Sequence, residues 1–200
     1  MIKVLINVLL FPFLCIFGAC SKVHYASTNR GKLSGKIVVE WIDKDQFVFR
    51  PHPTNPLMFV RGNGDVIQPE LMYTDGGSIP RPLWALSSYS PWGMAPAFMV
   101  HDWLFEMKHC AKPGHEKYTN HEAAIVMSEV MKTMREDMIN AKKTANLPDK
   151  FVIWTMYVAV DSSIAKDLWE NGQCKPPPFL EGLEAFVQPK ATFEIAWPPE

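Results

Sequence analysis

The period of the hydrophobic pattern changes once along this chain, near Pro80, and that change limits the possible folds more than any other feature. Upstream, apolar residues come in short runs bounded by turn formers. KIVVEWI (36–42) and QFVFR (46–50) flank the polar DKD and read as a strand pair. LMFVR (57–61), the glycine turn GNGD (62–65) and the following VIQ read as a second hairpin. Downstream, apolar residues recur at spacings of three and four. Residues 95–108, with Pro96 in the first turn, predict one helix. Residues 120–144, with Ala123, Met127, Val130, Met131, Met134 and Met138 on one side, predict a second, and 150–170, with Val152, Met156, Tyr157 and Val160 inward, a third. Methionines at this spacing belong to a core rather than to a cofactor box. The expected fold is α+β: a small N-terminal antiparallel sheet packed against about three C-terminal helices. The 200 residues suffice for one such domain with a substantial core.

The N-terminus bears on where that domain resides. In MIKVLINVLLFPFLCIFGACSK a single positive residue, Lys3, precedes an apolar stretch from Val4 to Phe17, which ends in Gly18, Ala19 and Cys20. This is the layout of an export signal. The stretch is short for a spanning helix and contains Asn7 and Pro12. FGAC resembles a bacterial lipobox, whose cysteine is lipidated and becomes the first mature residue, although Phe17 stands where an aliphatic residue is usual. An uncleaved membrane anchor is the alternative reading. The resemblance implies a signal peptide over residues 1–19, a lipid on Cys20 and a domain outside the cytoplasm. Ser21 after the cysteine, in place of Asp, implies the periplasmic side of the outer membrane if the host is Gram-negative. Residues 20–35 then read as a tether, 36–175 as the domain, and 176–200 as a proline-rich tail lying extended.

A net charge of −1 without a basic run excludes a nucleic-acid surface. The expected partners are the membrane, through the lipid anchor, and an envelope protein. With Cys15 in the signal and Cys20 lipidated, Cys110 and Cys174 remain. In an oxidising compartment they form either a bridge or two buried thiols, and spacing alone leaves both open. His109, Cys110, His115 and His121 in HCAKPGHEKYTNH match no common structural zinc pattern and read as a connection between helices.

Chemistry concentrates in two places. The loop YTDGGSIPRPLW (73–84) has Gly76 and Gly77 for unusual backbone geometry, and Asp75 and Ser78 to bond local amides. Such a loop either caps the sheet or offers carbonyls to a cation and amides to an anion. The second place is the pair His101–Asp102 inside the greasy run APAFMVHDWLF (95–105). Adjacent helical residues point about 100° apart, so one division aims His101 into a cleft and Asp102 toward the glycine loop. Either the pair locks helix to sheet, or His101 is a base beside a metal-holding Asp102, with Asp75 converging on the same pocket.

TDGGSIPRPLW, SPWGMAPAFMVHDWLF, HEAAIVMSEVM and MYVAV, in this order and spacing, resemble domain-of-unknown-function family 1353 of bacteria and their phages, over roughly residues 45–170. The resemblance implies the fold and a phage-related origin more than an activity. Members share a T-D-G-small-S-I-P loop, an H-D pair and an A-D pair opening the next helix; here Ala123 and Ala124 stand at the last. Glu122 and Glu129 are the nearby substitutes for that aspartate. Secreted phospholipases A2 are similar in placing an H-D pair beside a glycine-rich calcium loop, which implies calcium at Asp102 and the carbonyls of Gly76 and Gly77, but their cysteine framework is absent. Two functions follow. One is a non-catalytic, lipid-anchored envelope component that binds or supports another molecule. The other is a metal-assisted hydrolase of an ester or amide, using His101, Asp102 and Asp75 with calcium or zinc.

Overall fold

The computed structural model describes residues 18–43, 46–74, 91–143, 147–175 and 189–197. The chain is α+β, a curled antiparallel sheet against helices. Strands β1 (Lys32–Asp43), β2 (Gln46–Pro51), β3 (Met58–Val60), β4 (Val66–Ile67) and β5 (Met72–Thr74) run in the order β4-β3-β1-β2-β5, and β6 (Ala191–Trp197) also pairs with β1. Helix α1 covers residues 18–27, followed by α2 (Ala95–His109), α3 (Asn120–Asn140), α4 (Lys150–Val160) and α5 (Ser163–Asn171). Among the described residues no helix is long and apolar enough to cross a membrane.

β1 organises the sheet because its two halves have different partners. Lys32–Ser34 pairs with β3, while Ile37–Asp43 pairs with β2 and Gly35–Trp41 with β6. The change of partner falls at Gly35, where φ is +105°. A Cβ there would lie 2.1 Å from the Pro56 carbonyl oxygen, so both the backbone angle and the close approach require glycine. Gly35→Ala is expected to cost about 2 kcal/mol or more, since neither backbone relieves the contact cheaply. A thermal melt within a degree or two of the unsubstituted protein would show that β1 bends without help from this residue.

Side-chain alternation sets the core. Val39 opposite Phe49, and Phe49 opposite Met72, form a buried row across β1, β2 and β5. That row, with Leu33, Ile37 and Phe59, meets Phe98, Val100 and Leu104 of α2 and Val126, Met127, Val130 and Met131 of α3 in one cluster. Thr119 caps α3 by accepting from the Glu122 amide, and Asp149 caps α4 by accepting from Val152.

Three elements differ from the sequence expectation. The helix expected over 150–170 is two helices, because Asp161 ends the first and the Ser162 hydroxyl caps the second. The tail contains strand β6, whose Thr, Phe, Ile and Trp suit a strand although prolines surround them. The segment expected as a tether is helix to residue 27 and strand from Lys32. Its polar side chains have specific partners: His24 Nε2 hydrogen-bonds Ser128 Oγ at 3.1 Å, and the Tyr25 hydroxyl donates to Glu136 at 3.0 Å. Lys132 donates to the Tyr25 and Thr28 carbonyls at 2.9 and 2.7 Å, a cation at the C-terminus of α1. Burial, then the Glu136 hydrogen bond, pushes the Tyr25 hydroxyl pKa up to about 12.

Candidate functional site

α2 starts as a core helix and ends at the surface. Ala95 to His101 are all buried, whereas Phe105 to Cys110 are half-buried. The His101–Asp102 pair therefore sits where the helix emerges, and its two members face different neighbours. Asp102 faces the sheet: the Thr74 hydroxyl donates to its Oδ2 at 2.8 Å. Thr74 ends β5, so Asp102 fastens α2 at the root of the glycine loop. Asp75, Gly76, Gly77, Ser78 and Trp84 lie outside the described residues.

His101 lies on a different stripe, with Phe105 and His109 one and two turns on. Its ring is 4.9 Å from that of Phe105, which meets Trp169 of α5 edge-on at 4.9 Å. His109 continues the stripe, with Nε2 3.0 Å from the Leu168 carbonyl oxygen. His101 is 8% exposed. Its Nδ1 stands 3.8 Å from Asp102 Oδ1, too far for a hydrogen bond, and its buried Nε2 has no hydrogen-bond partner among the described residues. An unpaired buried nitrogen costs about 1–3 kcal/mol, which makes His101 the less satisfied member of the pair among the described residues.

The two glutamates that stand near the missing aspartate serve another residue. Arg61, just after β3, donates to Glu129 through Nε at 2.7 Å and Nη2 at 3.2 Å, and through Nη1 to Glu122 at 3.3 Å. Burial works against the guanidinium charge, but the Glu129 contacts outweigh it and hold the Arg61 pKa above its usual value. Ala124 is fully buried and carries no polar atom on its side chain. Thus neither Glu122 nor Glu129 replaces the carboxylate that the A-D pattern would place there. Thr74 is the threonine that opens the TDGGSIP segment, whereas Arg61 carries no sequence signal beyond standing at a strand end.

The remaining candidates also separate. Cys110 and Cys174 are joined in a disulfide, with Cα atoms 4.6 Å apart. Among the described residues, the grouping of ligand atoms close enough for a metal is Glu106, Cys110 and Cys174, and its two sulfurs are the bonded pair. Glu106 Oε1 lies 3.1 Å from Cys110 Sγ, and burial raises the Glu106 pKa, with Lys112 partly opposing it. The histidines of HCAKPGHEKYTNH point to separate places: His109 to α5, His115 Nδ1 to the Lys112 carbonyl at 3.0 Å, and His121 Nδ1 to Asp161 at 2.9 Å. Cys20 is exposed on α1 with a free sulfur.

The site therefore consists of a carboxylate fixed to a strand end beside a nearly sealed imidazole. Compared with known proteins, residues 54–160 match the sequence model of a family described as protein of unknown function (DUF1353). No curated protein and no solved structure matches the chain. The match spans both the H-D pair and the whole of α2, α3 and α4, more than half of the chain, and the protein belongs to the DUF1353 family.

Proposed function

We propose that this protein is a lipid-anchored component of the bacterial cell envelope, of phage-related origin, whose role is to bind or support another envelope molecule rather than to catalyse a reaction. The observation that supports a structural use of the H-D pair is the commitment of Asp102 to Thr74 at 2.8 Å beside an imidazole that is 8% exposed. A carboxylate already fixed by a hydroxyl, next to a closed histidine, serves as a lock between α2 and β5. The FGAC signal supports the anchor, through Cys20.

The His101 Nε2, which has no partner among the described residues, favours a second reading, a divalent-cation site at Asp102 that serves hydrolysis. Melting the full chain in detergent with chelator, then with calcium or zinc, separates the two. A cation at a hundred times its dissociation constant would add about 2.7 kcal/mol to the native state. The expected result is an unchanged melting temperature with either ion, and a loss of about 1–3 kcal/mol in Asp102→Ala, which removes the hydrogen bond between the Thr74 hydroxyl and the carboxylate. A metal-dependent rise that disappears in Asp102→Ala would replace the lock with the hydrolase.

A further inference from the structure

The anchor proposed above leaves no slack between membrane and domain. α1 includes Cys20, and one turn later it is already packed on the body, with the His24 ring stacked on Tyr157 at 4.3 Å. α1 runs parallel to α3, since His24 meets Ser128 whereas Thr28 meets Lys132 and Arg30 meets Asp137. Followed back one turn, about 6 Å, Cys20 lies level with the first turns of α3. The junction of α4 and α5 is at that same end: His121 of α3 and Tyr157 of α4 both bond Asp161, at 2.9 and 3.0 Å. Large apolar side chains of α1, α4 and α5 stand exposed. Val23 is 69% exposed, Val158 48%, Ile164 75% and Leu168 52%. Ile164 and Leu168 stand one turn apart on α5, while Lys166 and Glu170 occupy another side of the helix.

We infer that this end of the helical layer, with Val23, Val158, Ile164 and Leu168, rests on the phospholipid bilayer beside the anchored Cys20. The inference rests on the proposed anchor. A membrane attachment before residue 20 brings the bilayer within a helical turn of the folded surface, whether the cysteine is lipidated or the apolar stretch from Val4 to Phe17 stays uncleaved. Aliphatic side chains at that distance enter the interfacial layer and leave water, which is the driving force for their exposure being tolerated. Lys22 is exposed between Cys20 and Val23, and its ammonium suits lipid phosphates at the rim of the contact. The contact turns a point attachment into a fixed orientation.

The test uses the full chain, exported and processed in a bacterial host, then reconstituted into phosphatidylethanolamine–phosphatidylglycerol vesicles. Ile164→Cys and Leu168→Cys are compared with Lys166→Cys for the rate of labelling by a membrane-impermeant maleimide, each normalised to the same variant unfolded in urea. The expected result is labelling about tenfold slower at positions 164 and 168 than at 166, equivalent to ~1.4 kcal/mol of docking. Flotation of the vesicles reads the anchor separately. A chain that floats but labels equally at all three positions keeps its anchor and loses the docked face. A chain that does not float loses both. Slow labelling accompanied by a disulfide-linked dimer of Ile164→Cys assigns the face to a second copy and overturns the membrane contact.

Discussion

Glu129→Ala is expected to lower the unfolding free energy by about 3 kcal/mol, near the lower end of the 3–5 kcal/mol range for stripping one partner from a buried ion pair. The Glu129 side chain is 3% exposed and receives two guanidinium hydrogen bonds from Arg61. Its removal leaves the half-buried Arg61 with Glu122, at 3.3 Å, and that remaining contact keeps the loss from reaching the top of the range. Glu122→Ala, by contrast, removes the more exposed partner and is expected to cost no more than about 1 kcal/mol. Urea unfolding checks both values. The double change Arg61→Met with Glu129→Leu is expected to recover most of the loss, because it removes both charges and refills the volume. If Glu129→Ala unfolded within about 1 kcal/mol of the parent, water would have to reach Arg61 through the packed face between β3 and α3.

Arg61 also illustrates where the sequence stops being informative. Elements with a strong local period were legible: α2 and α3 begin where Pro96 and Asn120 suggested, and β1 and β2 enclose the KIVVEWI and QFVFR runs. The glycine hairpin was legible too, with Gly64 at φ +88° between β3 and β4. What was not legible depends on distant partners. The polar residues from Ser21 to Arg30 have no apolar stripe, so nothing local marks α1; its stability comes from Ser128, Lys132, Glu136 and Asp137, more than a hundred residues away. β6 is likewise a strand because β1 offers it an edge, and the prolines around it hide that option. Asp161 is a single polar residue within the apolar 150–170 pattern, whereas the Ser162 cap directly after it starts a new helix.

The H-D pair was legible as a place and not as a partner set. Adjacent helical positions diverge, which anticipated that His101 and Asp102 would face different surroundings. That Asp102 would meet a threonine hydroxyl, and that Glu122 and Glu129 would both be drawn to an arginine from the sheet, required the register of β3 and β5 against α2 and α3. Side-chain spacing within one helix carries no information about that register.

Opening the Cys110–Cys174 bridge is expected to cost about 4 kcal/mol, the loop-closure entropy of a 64-residue separation. The effect should concentrate in α5. Trp169 is the buried residue of that helix, and with Phe105 and the His109–Leu168 contact it holds α5 against α2. The bridge prevents the chain after α5 from leaving α2 when these contacts fluctuate. Cys174→Ser should therefore lower the melting temperature and raise amide exchange over Ser163–Asn171 first, with α3 changing little. Equal protection of α5 in the parent and in Cys174→Ser would mean that the Trp169, Phe105 and His109 contacts hold the helix without the bridge. The same bridge bears on where the protein works, because such bonds persist outside the cytoplasm and are rare within it. Thiol trapping in intact cells is expected to find Cys110 and Cys174 blocked in the exported chain. Were both thiols free there, the domain would operate without about 4 kcal/mol of its stability, and the proposed export would lose the chemical reason for keeping two cysteines 64 residues apart in bonding position.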